Sequence, residues 1–431
     1  MKKYSLGALV AAGLLVGGLS AGSASAADLG GNCCADLEER IAELEATTAR
    51  KGNRKVSLTI SGWVAEQVMW WDDDFESNVY VGGIGTTLAS HFKLTGQATI
   101  SPGWYAGYVM HVEVYGSETL LMTNQERATG PSIYDLVNNG NVGNEALAGS
   151  NFSGISTLQS FWFIKSDHLG KLSVGKQSTA SDNAAILVDG SGSLVPANFV
   201  LFDYGGFHLR RDDGTIDHGT IIGDTFKHID ANGLPYNAIR YDSPTFAGFS
   251  VSASWGEDDV WDVAARYAGE WNGIKLAVAA AYFEDTDDQG GVVTNSGPGT
   301  NQFQVGAYVE HVPTGVWVYG AWGDYDNDLA LGAAVESAET WYVKAGLRER
   351  WTPLGHTVVY GEYMDGDQES FVGLDVGSTE LWGLGVVQEI DAGAMSLWLR
   401  YRNIEADNDG IGAAHRSLDF QYVKAGALIN F

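Results

Sequence analysis

From Val56 onward, apolar and polar residues alternate. Val56, Leu58, Ile60 and Val64 interleave with Ser57, Thr59, Ser61 and Trp63, the period of two that marks a strand with unlike faces. The pattern returns along the chain. Phe249, Val251, Ala253 and Trp255 oppose Ser250, Ser252 and Ser254; Trp261, Val263, Ala265, Tyr267 and Trp271 oppose Asp262, Arg266 and Glu270. Met395, Leu397, Leu399 and Tyr401 oppose Ser396, Arg400 and Arg402, and Phe92, Leu94, Ala98 and Ile100 oppose His91, Lys93, Thr95 and Gln97. Segments 315–325 and 356–364 alternate poorly, and their faces stay unassigned. Residues 33–50 have another period: Cys34, Leu37, Ile41, Leu44 and Thr48 form a heptad seam. This predicts a short N-terminal helix, with Leu37, Ile41 and Leu44 as an oligomerisation stripe or as a face packed on the rest of the chain.

The connections fall into two kinds. Tight, turn-like ones lie at Pro102-Gly103, His168-Leu169-Gly170, Ser243-Pro244-Thr245, Asn272-Gly273, Pro313-Thr314-Gly315, Thr352-Pro353-Leu354-Gly355 and Asp391-Ala392-Gly393, with residues that reverse a chain in few steps. The others are mostly long, polar and acidic: 71–88, 116–155, 179–234, 284–301, 326–338, 365–378 and 405–416, with one short member at Gly256–Val260. Seven short turns imply seven hairpins, and a first and a last strand bring the count to sixteen. An even number of strands, with turns on one rim and loops on the other, predicts an all-β, sixteen-stranded antiparallel transmembrane barrel. Most segments reach the ~9–11 residues that cross a bilayer at a tilt. Alternation alone also allows a soluble sandwich.

Composition narrows the field. The 431 residues carry 56 Gly, 14 Trp, 19 Tyr and 16 Phe, and a formal charge of −29. Phosphate contacts need a basic surface, so nucleic-acid binding is excluded. Two cysteines exclude a disulfide scaffold. Trp70, Trp71, Trp104, Tyr105, Tyr241, Trp255, Trp261, Trp271, Tyr282, Trp351 and Phe431 stand near strand ends, as girdle aromatics do at the two membrane interfaces.

Lys2 and Lys3 precede an apolar run from Leu6 to Leu19, and Ala24-Ser25-Ala26 offers a small-residue cleavage site. Residues 1–26 therefore read as a secretory signal peptide. Residues 27–55 read as a periplasmic helical segment and linker, and 56–431 as the barrel. Cys33 and Cys34 would meet an oxidising compartment, paired between chains or left free.

The segment Cys33-Cys34-Ala35-Asp36-Leu37-Glu38-Glu39-Arg40-Ile41, the first strand Lys55-Val56-Ser57-Leu58-Thr59-Ile60-Ser61-Gly62, Tyr241-Asp242-Ser243-Pro244 and Ala253-Ser254-Trp255-Gly256-Glu257-Asp258-Asp259 resemble the general porins of alphaproteobacteria. The likeness spans the mature chain, and terminal Phe431 resembles the barrel assembly signal. It implies a homotrimer in the outer membrane of a Gram-negative cell, in contact with lipid and lipopolysaccharide. It further implies passive diffusion of small hydrophilic solutes and ions, with no catalytic step. In such porins a third outer loop folds into the lumen, and its acids face basic residues on the wall. Here that loop is 179–234, with Asp182, Asp189 and Asp203 as acidic candidates. Lys93, Arg240, Arg266, Lys344, Arg348, Arg400, Arg402 and Lys424 are the inward-facing basic candidates, with individual pairing to inward acids as the plainer reading. Arg210-Arg211-Asp212-Asp213 reads as a solvated run.

An acidic vestibule enriches cations while a basic wall favours anions, and the sequence leans to a weak cation preference. No cofactor is implied. Asp324, Asp326 and Asp328 begin like a calcium loop, but Leu329 and Val335 stand where Gly and Glu belong. A loose calcium site at the outer loops is the residual expectation beside plain solvated charge. Two other functions stay open at this point: a substrate-specific channel on the same barrel, and a secreted β-propeller. Turns near 273, 315, 355 and 393 recur at about the spacing of propeller blades.

Overall fold

The computed structural model describes residues 56–85, 88–114, 124, 155–200, 205–227, 229, 235–256, 259–286, 299–327, 335–370, 375–408 and 415–431. The expected signal peptide, the helix with Leu37, Ile41 and Leu44, and both cysteines lie outside these residues.

The strands are β1 (Thr59–Asp72), β2 (Ser77–Gly82), β3 (His91–Ser101), β4 (Trp104–Val114), β5 (Ile155–Ser166), β6 (Gly170–Gln177), β7 (His208–Arg211), β8 (Ile216–Ile221), β9 (Tyr236–Asp242) and β10 (Phe249–Gly256). They continue as β11 (Val260–Trp271), β12 (Ile274–Asp285), β13 (Thr300–His311), β14 (Val316–Asn327), β15 (Val335–Thr352), β16 (Gly355–Ser370), β17 (Asp375–Ile390), β18 (Met395–Asn408) and β19 (Arg416–Asn430). With β2, β7 and β8 set aside, sixteen strands pair antiparallel, each with the next in sequence. β1 then pairs with β19, Trp63 opposite Asn430 and Asp72 opposite Gln421, so the barrel is closed. At this seam Gly62 and Phe431 exchange two backbone hydrogen bonds of 3.0 and 3.1 Å.

Alternation sets the two faces as the sequence indicates. Val251, Trp255, Val263, Leu397 and Leu399 are exposed on the outside, while Ser252, Ser254, Asp262, Arg400 and Arg402 are buried inside. An apolar exterior suits lipid, and closure leaves no strand edge to satisfy there. Trp70, Trp104, Trp255, Trp271 and Trp351 are exposed. Trp71 departs from the girdle expectation. It is next to Trp70, so it points the other way, is 2% exposed, and packs on Phe207 with ring centroids 5.2 Å apart. The short turns are tight for local reasons. Asn272 and Gly273 both have positive φ, 52° and 78°, the geometry of a two-residue hairpin turn that suits Asn-Gly.

The expected loop 71–88 is largely ordered differently. β1 runs through Asp72, reverses over Asp73–Glu76, and continues down as β2, paired with the upper half of β1. Residues 83–85 and 88–90 then leave the wall, and β3 resumes against the lower half of β1. β2 and β3 are thus two parts of one descending strand, interrupted by an inward excursion. Gln67 and Trp63 donate side-chain bonds to the Gly83 and Leu88 carbonyls of that excursion at 2.9 and 3.1 Å.

The poorly alternating segments find their reason inside the barrel. Trp317 and Tyr319 on β14, and Val358, Tyr360 and Met364 on β16, are all buried inward. Their inner faces pack largely against polypeptide and not against water, so these strands carry apolar residues on both sides.

Candidate channel constriction

The described parts of the long connection between β6 and β9 line the lumen in two tiers. The lower tier, 178–199, leaves β6 and runs along the inner wall. The Ala180 and Ser181 N–H groups donate to Asp262 of β11 at 3.2 and 2.7 Å, and Ser254 also bonds that carboxylate. The Ala185 N–H donates to Gln304 of β13 at 3.0 Å, and the Ala185 carbonyl accepts from Tyr319 of β14 at 2.9 Å. Gly306 permits this approach, since a Cβ there would lie 2.3 Å from the Ala185 carbonyl oxygen. Further on, Lys344 and Arg402 bind the loop from β15 and β18. The upper tier holds the β7–β8 hairpin, which pairs with β19 through Arg211–Arg416 and Arg210–Ser417. It returns over β17 to β13, where Thr225 bonds Thr379 and Gln302 donates to the Ile229 carbonyl.

The candidate charges occupy different settings. Asp189 pairs with Lys344 at 2.6 Å, both side chains fully buried, and the same ammonium donates to the Ala197 carbonyl at 2.7 Å. This pair lies between loop and wall. Asp182 is 3% exposed, lies near Arg240 and Arg266, and accepts from Asn183 at 2.7 Å. Burial pushes its carboxyl up to about 6; Asp262 adds to the rise, and Ser178, Arg240 and Arg266 oppose it. Asp203 lies outside the described residues. Arg402 grips Glu362 through two bonds of 2.7 and 2.8 Å and donates to the Asn198 carbonyl at 2.7 Å. Arg348 makes a two-pronged pair with Glu389 at 2.9 Å. Arg400 and Lys424 stand opposite each other across the β18–β19 ladder. Both are buried, and their charged ends lie 5.3 and 4.8 Å from the Tyr422 ring centroid. Arg240 is held by Asp242 and by the Ser178 and Thr179 carbonyls; Arg266 donates to Ser252 and to the Ala180 carbonyl.

A cavity of about 370 Å³ opens between the lower tier and the wall of β1, β3–β6 and β9–β12. It extends to the short-turn rim at Ser243, Thr245 and Gly248. The ionisable cations on its surface are Lys93, Lys171, Arg240 and Arg266, and the carboxylates are Asp182 and Asp242. Lys171 pairs with Asp242 at 3.0 Å. Sequence reading did not single out Lys171 or Asp242, although Asp242 falls at an inward position directly opposite Ser252. Asp262, Glu362 and Glu389, which anchor the loop or its partners, were also not singled out. Asp262 falls on the polar parity of β11 with Arg266 and Glu270, which is a signal that marks it; Glu362 and Glu389 share their faces with apolar residues such as Tyr360 and Val387, and no alternation marks them.

Arg210 is not solvated. It binds Asp73 Oδ2 through two nitrogens at 2.7 and 3.1 Å, and Asp73 in turn accepts from the N–H groups of Phe75 and Glu76 at the β1–β2 turn. At the outer end of β14, Asp324 and Asp326 are half-buried, Asp324 opposite Glu339; Asp328 lies outside the described residues. Among the described residues no group of three or more His, Cys, Asp or Glu side chains is arranged to hold a metal ion.

A closed barrel with a lipid-compatible exterior, a polar interior and a loop folded across its lumen defines an outer-membrane channel. The Gram-negative porin family model matches residues 8–409, and the chain belongs to that family. Among solved structures it is similar to the anion-selective porin of Comamonas acidovorans, at 14% identity and a TM-score of 0.54, covering 87% of this chain and 100% of that one. Similar folds are the Salmonella typhi OmpF complex with daunomycin, at 11% identity and TM-score 0.52 over 88% and 99% of the chains, and Vibrio cholerae OmpT in its trimer form, at 12% identity and TM-score 0.51 over 87% and 99%. No curated protein matches the sequence. The protein is an outer-membrane porin.

Proposed function

We propose that this porin passes small hydrophilic solutes and ions through the cavity beside the lower tier, and that the passage favours anions. The observation that carries this is the set of charges on its surface. Four cationic side chains, Lys93, Lys171, Arg240 and Arg266, share it with two carboxylates, Asp182 and Asp242. In a narrow, low-dielectric passage the wall acts on an ion more strongly than charges scattered over outer loops, which salt screens. The reading therefore reverses the weak cation preference expected from the loop acids. A homotrimer in contact with lipopolysaccharide is part of the same proposal, supported by the trimer of the similar OmpT and by the apolar outer wall.

The test is the reversal potential of the detergent-refolded protein in a planar bilayer under a KCl gradient. The expected sign is that of chloride selectivity, and Lys93→Glu should shift the potential towards potassium. A potassium-selective parent channel would overturn the reading.

A further inference from the structure

The two sides of the passage differ in chemistry. Between Ala185 and Asn198 the loop commits its polar groups to the wall or to itself. The Ala185 N–H goes to Gln304, Asp189 to Lys344, and the Ala197 and Asn198 carbonyls to Lys344 and Arg402. The Ser191 and Ser193 hydroxyls bond each other at 2.8 Å. What this stretch presents to the passage is Leu187, Leu194 and Val195, each only partly buried, joined by Leu88 from the inward excursion. The opposite side carries Lys93, Arg240 and Arg266. Beside Lys93 stands a row of rings in edge-on and tilted contact, Trp63 against His91 and His91 against His111, each pair with centroids 4.1 Å apart.

A sieve for inorganic ions gains nothing from leucines and valines, which cannot replace lost water. A solute with a carboxylate at one end and an apolar body at the other gains on both sides: charge on the basic wall, and burial against the loop. We infer that the channel prefers small carboxylates with an aromatic or branched aliphatic body, which cross with the carboxylate towards Lys93, Arg240 and Arg266 and the body against Leu187, Leu194 and Val195. This rests on the reading that the cavity is the conducting, anion-favouring route.

The experiment compares benzoate with lactate in the refolded channel, by bi-ionic reversal potentials against chloride. Simple sieving passes the smaller, more hydrophilic lactate faster. The inference expects benzoate to be several-fold more permeant, and added benzoate to reduce the chloride current in a saturating way. The triple variant Leu187→Ser/Leu194→Ser/Val195→Thr should bring the benzoate-to-lactate ratio below one. If it does not refold, Leu194→Asn alone is read in the same way. A chloride-selective parent with lactate ahead of benzoate overturns this inference alone. A potassium-selective parent overturns the route beneath it. A triple variant that keeps the benzoate advantage refutes the assigned apolar surface.

Discussion

Lys344→Met keeps most of the side-chain volume on β15 and removes its charge. In the parent, the Lys344 and Asp189 side chains are both fully buried and 2.6 Å apart. Removing one partner strands the Asp189 carboxylate and leaves the Ala197 carbonyl without its 2.7 Å donor. Breaking a buried pair in this way costs about 3–5 kcal/mol. At about 1.4 kcal/mol per factor of ten, the balance between docked and released loop shifts by roughly two to three and a half decades. Release should stay local, because the flanks keep other anchors: Gln304 and Tyr319 at Ala185, and Arg402 at Asn198. The stretch 189–197 then samples several positions beside the passage. Single-channel recording should show the main conductance level split into several, with added noise, while Lys344→Met/Asp189→Asn should recover a single level because no bare charge remains. A Lys344→Met channel as quiet and as heat-resistant as the parent would refute the reasoning, as would a double variant no quieter than the single one.

Two further outcomes follow from the same site. Asp182 titrates at about 6 because it is buried; above that pH it is anionic and cancels part of the wall's charge, and below it is neutral. Chloride selectivity should therefore rise as pH falls from 7 to 5, and reversal potentials of Asp182→Asn should show no such step. At Gly306, a Cβ would meet the Ala185 carbonyl at 2.3 Å and its Cα at 2.8 Å. Gly306→Val should therefore push the loop off β13 into the passage and lower unit conductance, and an unchanged conductance would show that the loop yields elsewhere.

Period-two alternation and the contrast between tight turns and long loops carried the barrel, its strand number and its closure, because both express a bilayer outside and water inside. The same logic explains the failures. Trp317, Tyr319, Val358 and Tyr360 face inward yet are apolar, since a loop replaces water there, and no local pattern announces which wall a distant loop covers. Asp72-Asp73-Asp74 has the composition of a solvated loop, but Asp73 becomes a turn cap neutralised by Arg210, more than a hundred residues away in sequence. Asp189 and Lys344 were legible as inward charges. That they meet each other behind the loop is a fact of tertiary packing, as is the apolar surface left facing the passage.

The seam between β1 and β19 sets a condition on biogenesis. Its bonds join β1 to β19, with Gly62 bound to Phe431, so the contact that closes the cylinder joins two strands with all the others between them in sequence. Loop-closure entropy and the slow formation of non-local pairings make this step late. One edge of β1 waits unpaired until β19 has been delivered. Without β19 the sheet would keep two unpaired edges, on β1 and β18, which is the form that aggregates.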